Sequence, residues 1–231
     1  MFRSLLACLL ALFASACTAD RTTTTTASSV VASPQPSLPP GLPPSFGDDV
    51  GPSDVPTAAL IPLRAEVTGS WDASTSAGDA IVVAWSVPGP DPFRLDRGIA
   101  AWRRFDDGAA PWRPVWGQAF PARRDPLQNL TADVADVTGD GSADAVVSAE
   151  IGGSGTCGSV LVVDLATGDR IFRSSGCDRI VTPSADPVGL TIREAVYKAG
   201  DAHCCPSAVR TTILVDADGS WQTASSTTSP A

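Results

Sequence analysis

Short apolar runs rich in Val, Ile, Ala and Trp recur from residue 80 to residue 225 of this chain, each closed by Gly, Pro, Asp or Ser, and no window keeps a helical period. A helix that buries one face repeats apolar residues every three or four positions over ten or more residues, whereas short β-branched runs between turn formers indicate strands. The pattern therefore predicts an all-β domain. Strands are expected at 80–87, 98–105, 112–120, 144–151, 160–165, 170–174, 190–198, 209–215 and 221–225, with 126–134 the one place for a helical turn. They fall into three groups of three. Asp79-Ala80-Ile81-Val82-Val83 in the first group echoes Asp144-Ala145-Val146-Val147 in the second, a weak internal repeat of a β-meander. Three meanders either stack like propeller blades or close into a sandwich, and periodicity does not choose. The tryptophans at 71, 85, 102, 112, 116 and 221 are expected to fill the core. The sharper alternative, a sugar-stacking row, is disfavoured because most of them lie inside strands predicted to be buried.

The chain opens with Met1-Phe2-Arg3-Ser4 and then an apolar stretch from Leu5 to Ala14, the layout of an export signal. A bilayer-spanning helix needs about 20 apolar residues, and this run meets Ser15, Ala16 and Cys17 first. Ala14-Ser15-Ala16-Cys17 resembles the bacterial lipobox, although the usual Leu at its first position is Ala14 here. That resemblance implies cleavage before Cys17, lipid on its sulfur and attachment to the outer face of the cell membrane; the alternative is ordinary secretory cleavage with Cys17 incidental. The expected division is a signal peptide at 1–16, a lipidated Cys17 followed to residue 59 by a disordered Thr/Ser/Pro-rich linker, one β-domain at 60–226, and a disordered tail at 227–231. Thr22 to Thr26 and the proline-dense stretch from Pro34 to Pro44 carry too little apolar surface to offset their ordering entropy. They would act as a spacer.

A formal net charge of −9 argues against binding nucleic acid or anionic lipid through a basic face. The membrane is reached through the lipid instead.

The strongest local signal is Asp136-Val137-Thr138-Gly139-Asp140-Gly141-Ser142-Ala143-Asp144, which runs straight into an apolar strand. Calcium takes oxygen ligands, and a loop that wraps it needs them at alternate positions with Gly at the sharp turn; Asp136, Thr138, Asp140, the Ser142 carbonyl and Asp144 supply such a row. The spacing resembles the calcium loops of FG-GAP and VCBS repeats, where the first, third, fifth and ninth positions bind the ion. Thr138 stands where those families carry Asn or Asp, only one good copy is present, and their Phe-Gly and Gly-Ala-Pro signatures are missing. The competing reading is a metal-free turn.

Setting aside Cys8 and Cys17 leaves Cys157, Cys177, Cys204 and Cys205, an even number that outside the cytoplasm indicates two disulfides. Pairing Cys157 with Cys177 suits a hairpin between them and leaves Cys204 and Cys205 as a vicinal bridge; one bond from each of the latter to Cys157 and Cys177 is the alternative. The segment His203-Cys204-Cys205-Pro206-Ser207 resembles one found in exported actinobacterial proteins that also carry a Val-Thr-Gly-Asp-Gly loop like residues 137–141. This resemblance marks a family and implies no activity.

Enzyme signatures are incomplete. The glycines of Gly153-Ser154-Gly155-Thr156-Cys157-Gly158 precede a strand and not the helix a dinucleotide fingerprint requires, and His203, the single histidine, has no nucleophile elbow beside it. Asp106 and Asp107 have no second carboxylate placed opposite them. The expectation is a non-enzymatic binding or structural module of the cell envelope, meeting an envelope protein or glycan, with calcium on one loop. The rival is a hydrolase of cell-wall or other polymer built on acids and tryptophans that only the fold assembles.

Overall fold

The computed structural model describes residues 38–43, 45, 54–89, 91, 94–107, 111–122, 127–152, 157–202 and 204–231. The signal peptide, Cys17, His203 and most of the linker lie outside the described residues. Twelve strands form three antiparallel sheets of four, and among the described residues there is no α-helix. The first sheet holds β1 (Glu66–Thr75), β2 (Gly78–Val87), β3 (Asp96–Arg104) and β4 (Trp112–Phe120). The second holds β5 (Leu127–Ala135), β6 (Asp144–Ile151), β7 (Cys157–Asp164) and β8 (Arg170–Cys177). The third holds β9 (Arg179–Ala185), β10 (Val188–Val196), β11 (Ala208–Ala217) and β12 (Ser220–Pro230). Each sheet is a meander in chain order, and none closes into a barrel.

The sheets stack like blades because strands at their centres are apolar on both faces. Along β2, Ala80, Val82 and Ala84 join Ile99, Ala101, Trp116 and Phe120 in a core facing the second sheet. The alternate residues Ile81, Val83 and Trp85 join Ala100, Trp102 and Trp112 in a core on the opposite face. Period-two alternation sends neighbours to opposite sides, so a run buried throughout needs a layer on each face. In the second sheet Ala145, Val147, Leu161 and Val163 face the first sheet, while Val146 and Val162 face Val181, Leu190 and Ile192 of the third. The repeat Asp79–Val83 and Asp144–Val147 occupies equivalent places, where the second strand of each blade begins.

Two expected boundaries move. The outer face of the first sheet carries Trp85, Trp102 and Trp112, and it is covered by Val55, Leu60 and Ile61, with Leu42 packed against them. The end of the expected linker is thus part of the fold, because three indoles left in water would forfeit their burial. At the other terminus, β12 runs to Pro230, with Thr228 opposite Arg210 and Pro230 opposite Ala208. The expected tail is instead a Ser/Thr-rich edge strand held by its ladder to β11.

The strands without a sequence prediction are the first of each sheet: β1, β5 and β9. The expected helical turn at 126–134 is β5, which pairs with β6 in antiparallel register. Leu130 and Ala132 enter the core while Thr131 and Asp133 face water. β1 and β9 touch β5, so the three first strands lie side by side at one edge of the stack.

Candidate functional site

The Asp136–Asp144 loop joins β5 to β6. Gly139 and Gly141, at φ of 82° and 81°, take backbone conformations that a side chain would strain. Asp136 accepts the backbone N–H of Gly139 at 2.6 Å and of Gly141 at 2.9 Å. Asp144 accepts the N–H of Val137 at 3.0 Å, and Asp140 accepts that of Ser142 at 2.7 Å. The Thr138 hydroxyl lies 3.5 Å from Asp136 Oδ1 and 3.4 Å from Asp144 Oδ2. The structure therefore gathers the first, third and ninth positions around one hydroxyl, while Asp140 turns its exposed carboxylate to the following backbone. In this arrangement no three acidic, His or Cys side chains among the described residues form a group able to hold a metal ion.

The loop is also anchored to the neighbouring sheet. Ser142, almost fully buried, accepts the N–H of Ser76 at 3.2 Å, and the Ala143 N–H donates to the Ser74 carbonyl at 3.1 Å. Asp144 is 1% exposed and sits directly across the ladder from Asp164. Burial pushes its carboxyl up to about 7, and the charges of Asp164 and Asp140 push the same way, against the hydrogen bond from Val137. Asp164 itself caps the β7–β8 turn, accepting the Ala166 N–H at 2.7 Å and the Thr167 hydroxyl at 2.8 Å.

Cys157 and Cys177 face each other across β7 and β8 and form a disulfide, the connectivity favoured from the sequence. The Cys204 and Cys205 thiols are exposed and unbonded, with their sulfurs 2.9 Å apart, so the second, vicinal bridge expected from the sequence is not formed in this structure. Their turn is tied by Asp201, which accepts the Ser207 hydroxyl at 2.6 Å and the Lys198 N–H at 2.7 Å. The Ser207 hydroxyl, followed by that backbone bond, lowers the Asp201 carboxyl, and the neighbouring Cys204 raises the Cys205 thiol.

Sequence reasoning missed a cleft of about 390 Å³ between β4 and the second sheet. At one end of β8 the stack is tight: a Cβ on Gly168 would collide with the Val115 carbonyl oxygen of β4. Toward Cys177 the strands splay, and Gln118 and Phe120 face Arg170, Arg173 and Ser175 across the opening. The available signal was Arg170 and Arg173 flanking Phe172 on an edge strand; only the fold shows that a bulge puts both arginines on one face. Comparison with known proteins finds no matching family model, no matching curated protein and no matching solved structure.

Proposed function

We propose that this chain is an envelope lipoprotein, anchored through Cys17, whose stacked β-domain is a non-enzymatic module that binds or supports an envelope protein or glycan. The observation that carries the reading is the Cys157–Cys177 bridge across β7 and β8, which belongs to an oxidising compartment and agrees with the export signal. The concave surface between the first two sheets gives such a module a place to bind. A hydrolase would use a carboxylate pair in a Trp-lined cleft, whereas the described walls of this cleft carry two arginines and Phe120.

Crosslinking in the native envelope tests the reading by what is captured with the protein. Cys17→Ser is expected to move the protein from the membrane fraction to the medium or to leave an uncleaved precursor. Intact mass decides: a wild-type mature form without acyl mass, starting elsewhere than residue 17, removes the anchor.

Calcium on the Asp136–Asp144 loop is part of the same proposal. Its support is the donor set, oxygen atoms alone, with the buried Asp144 lying near the like charges of Asp140 and Asp164. Bound there, the ion would neutralise that charge. At about 100 times its dissociation constant, calcium is expected to add roughly 2.7 kcal/mol, or about 5–10 °C in melting temperature for a domain of this size. Asp140→Ala should abolish the shift, and Asp218→Ala in the β11–β12 turn should leave it intact. Identical melting curves in millimolar calcium and in chelator would reduce the loop to a turn.

A further inference from the structure

The cleft between β4 and the second sheet has a chemistry unlike the rest of this acidic chain. Blades that diverge leave a wedge which apolar side chains ordinarily fill. Here the floor is apolar, with Phe120, Leu127 and Leu161 each less than a tenth exposed. The wall is not. Residues directly opposite in an antiparallel ladder share a face, so the pairs Leu161–Arg173 and Val163–Arg170 turn both guanidinium groups toward the side on which Leu161 and Val163 pack. Ser159 and Ser175, also paired, add two hydroxyls on that side.

Both arginines are without an ion-pair partner among the described residues, and no described carboxylate lines the cleft. By contrast, Arg113 is paired with Asp107 at 2.7 Å, and Arg179 and Arg210 both reach Glu194, although Arg97, Arg103 and Arg193 resemble the cleft arginines in having no ion pair among the described residues. In a chain of net charge −9, two uncompensated cations beside an apolar recess form a local positive field. A guanidinium offers paired donors that match an oxyanion, and they strengthen as water is displaced.

We propose that this cleft binds a small amphiphilic anion, its ring or short-chain body against Phe120, Leu127 and Leu161 and its single carboxylate, phosphate or sulfonate group against Arg170 and Arg173. The volume suits a ligand of drug-like size. The assignment deepens the binding-module reading and rests on it.

The test uses the intact mature protein and two fluorophores that share a ring system: 1-anilinonaphthalene-8-sulfonate, and N-phenyl-1-naphthylamine, which lacks the sulfonate. The sulfonate is expected to bind saturably at one site, to be displaced by octanoate but not by octanol, and to exceed the neutral probe in affinity by at least tenfold. Arg173→Gln and Arg170→Gln should each weaken it about tenfold, the usual worth of a charge-assisted hydrogen bond. Ser159→Trp, which fills the cleft without touching either charge, should abolish binding, and Arg193→Gln on the third sheet should change nothing. Melting curves confirm that each variant is folded. Equal affinity for the two probes, or binding that survives both Arg173→Gln and Ser159→Trp, overturns the proposal. A protein that captures an envelope partner by crosslinking yet binds neither probe overturns the cleft assignment alone.

Discussion

Trp116→Ala is expected to cost about 3–5 kcal/mol, a large share of the roughly 5–15 kcal/mol that holds a domain folded. Trp116 is 2% exposed and projects from β4 into the core shared by the first two sheets, among Ile99, Ala101, Leu130 and Leu161. Its loss combines the transfer of an indole to water with a cavity that two sheets pinned by their own ladders cannot close. Trp221 is the useful contrast. It lies edge-on to Phe172 with ring centres 5.5 Å apart, and its indole N–H donates to the Ile171 carbonyl, but it is only partly buried and belongs to the β12 edge strand. Trp221→Ala should therefore cost clearly less. Guanidinium unfolding followed by circular dichroism measures both. A loss below about 1 kcal/mol at Trp116 would mean that the first two sheets do not stack through that core.

Replacing Cys157 and Cys177 together by Ala is expected to destabilise the domain by about 3 kcal/mol, from the chain entropy of a closed loop of about 20 residues. The bridge spans a sequence separation of 20 and joins β7 to the edge strand β8, whose residues from Ser175 to Cys177 are exposed. With little apolar burial at that end, the covalent link reinforces the ladder that pairs β8 with β7. Cys204→Ser with Cys205→Ser changes only exposed thiols in a turn already tied by Asp201 and should fall within about 0.5 kcal/mol of wild type. Equal unfolding midpoints for wild type and the Cys157/Cys177 variant would refute the stabilising role.

The sequence made the middle of each sheet legible and hid one edge. The run from Ala80 to Trp85 is buried throughout, so its apolar residues stand out as a block. β1 exposes Ser70, Asp72 and Ser74 and buries Ala73, while β5 alternates Leu130 and Ala132 with Thr131 and Asp133. An edge strand of small and polar residues takes its stability from the ladder, which depends on partners and not on composition. β12 is half legible for the same reason: Trp221 to Ser225 read as a strand, but Thr227 to Ser229 look like tail until β11 supplies hydrogen-bonding partners. The Asp136–Asp144 loop was legible because all its groups are local. The cleft draws on β4 through β8, and no window of sequence contains both Phe120 and Arg173.

The stack also bears on how the chain becomes a folded object. Each sheet takes its strands from one stretch of the chain, 66–120, then 127–177, then 179–230, and among the described residues no strand returns from a later stretch to complete an earlier sheet. A chain emerging N-terminus first can finish each meander from residues already delivered, then offer its bare face as the template on which the next one settles. The first sheet is the best prepared for that order, since the segment covering its outer face emerges just ahead of it. Assembly can thus keep pace with the emergence of the chain, and the interval during which any apolar face waits uncovered is set by the delivery of roughly fifty further residues.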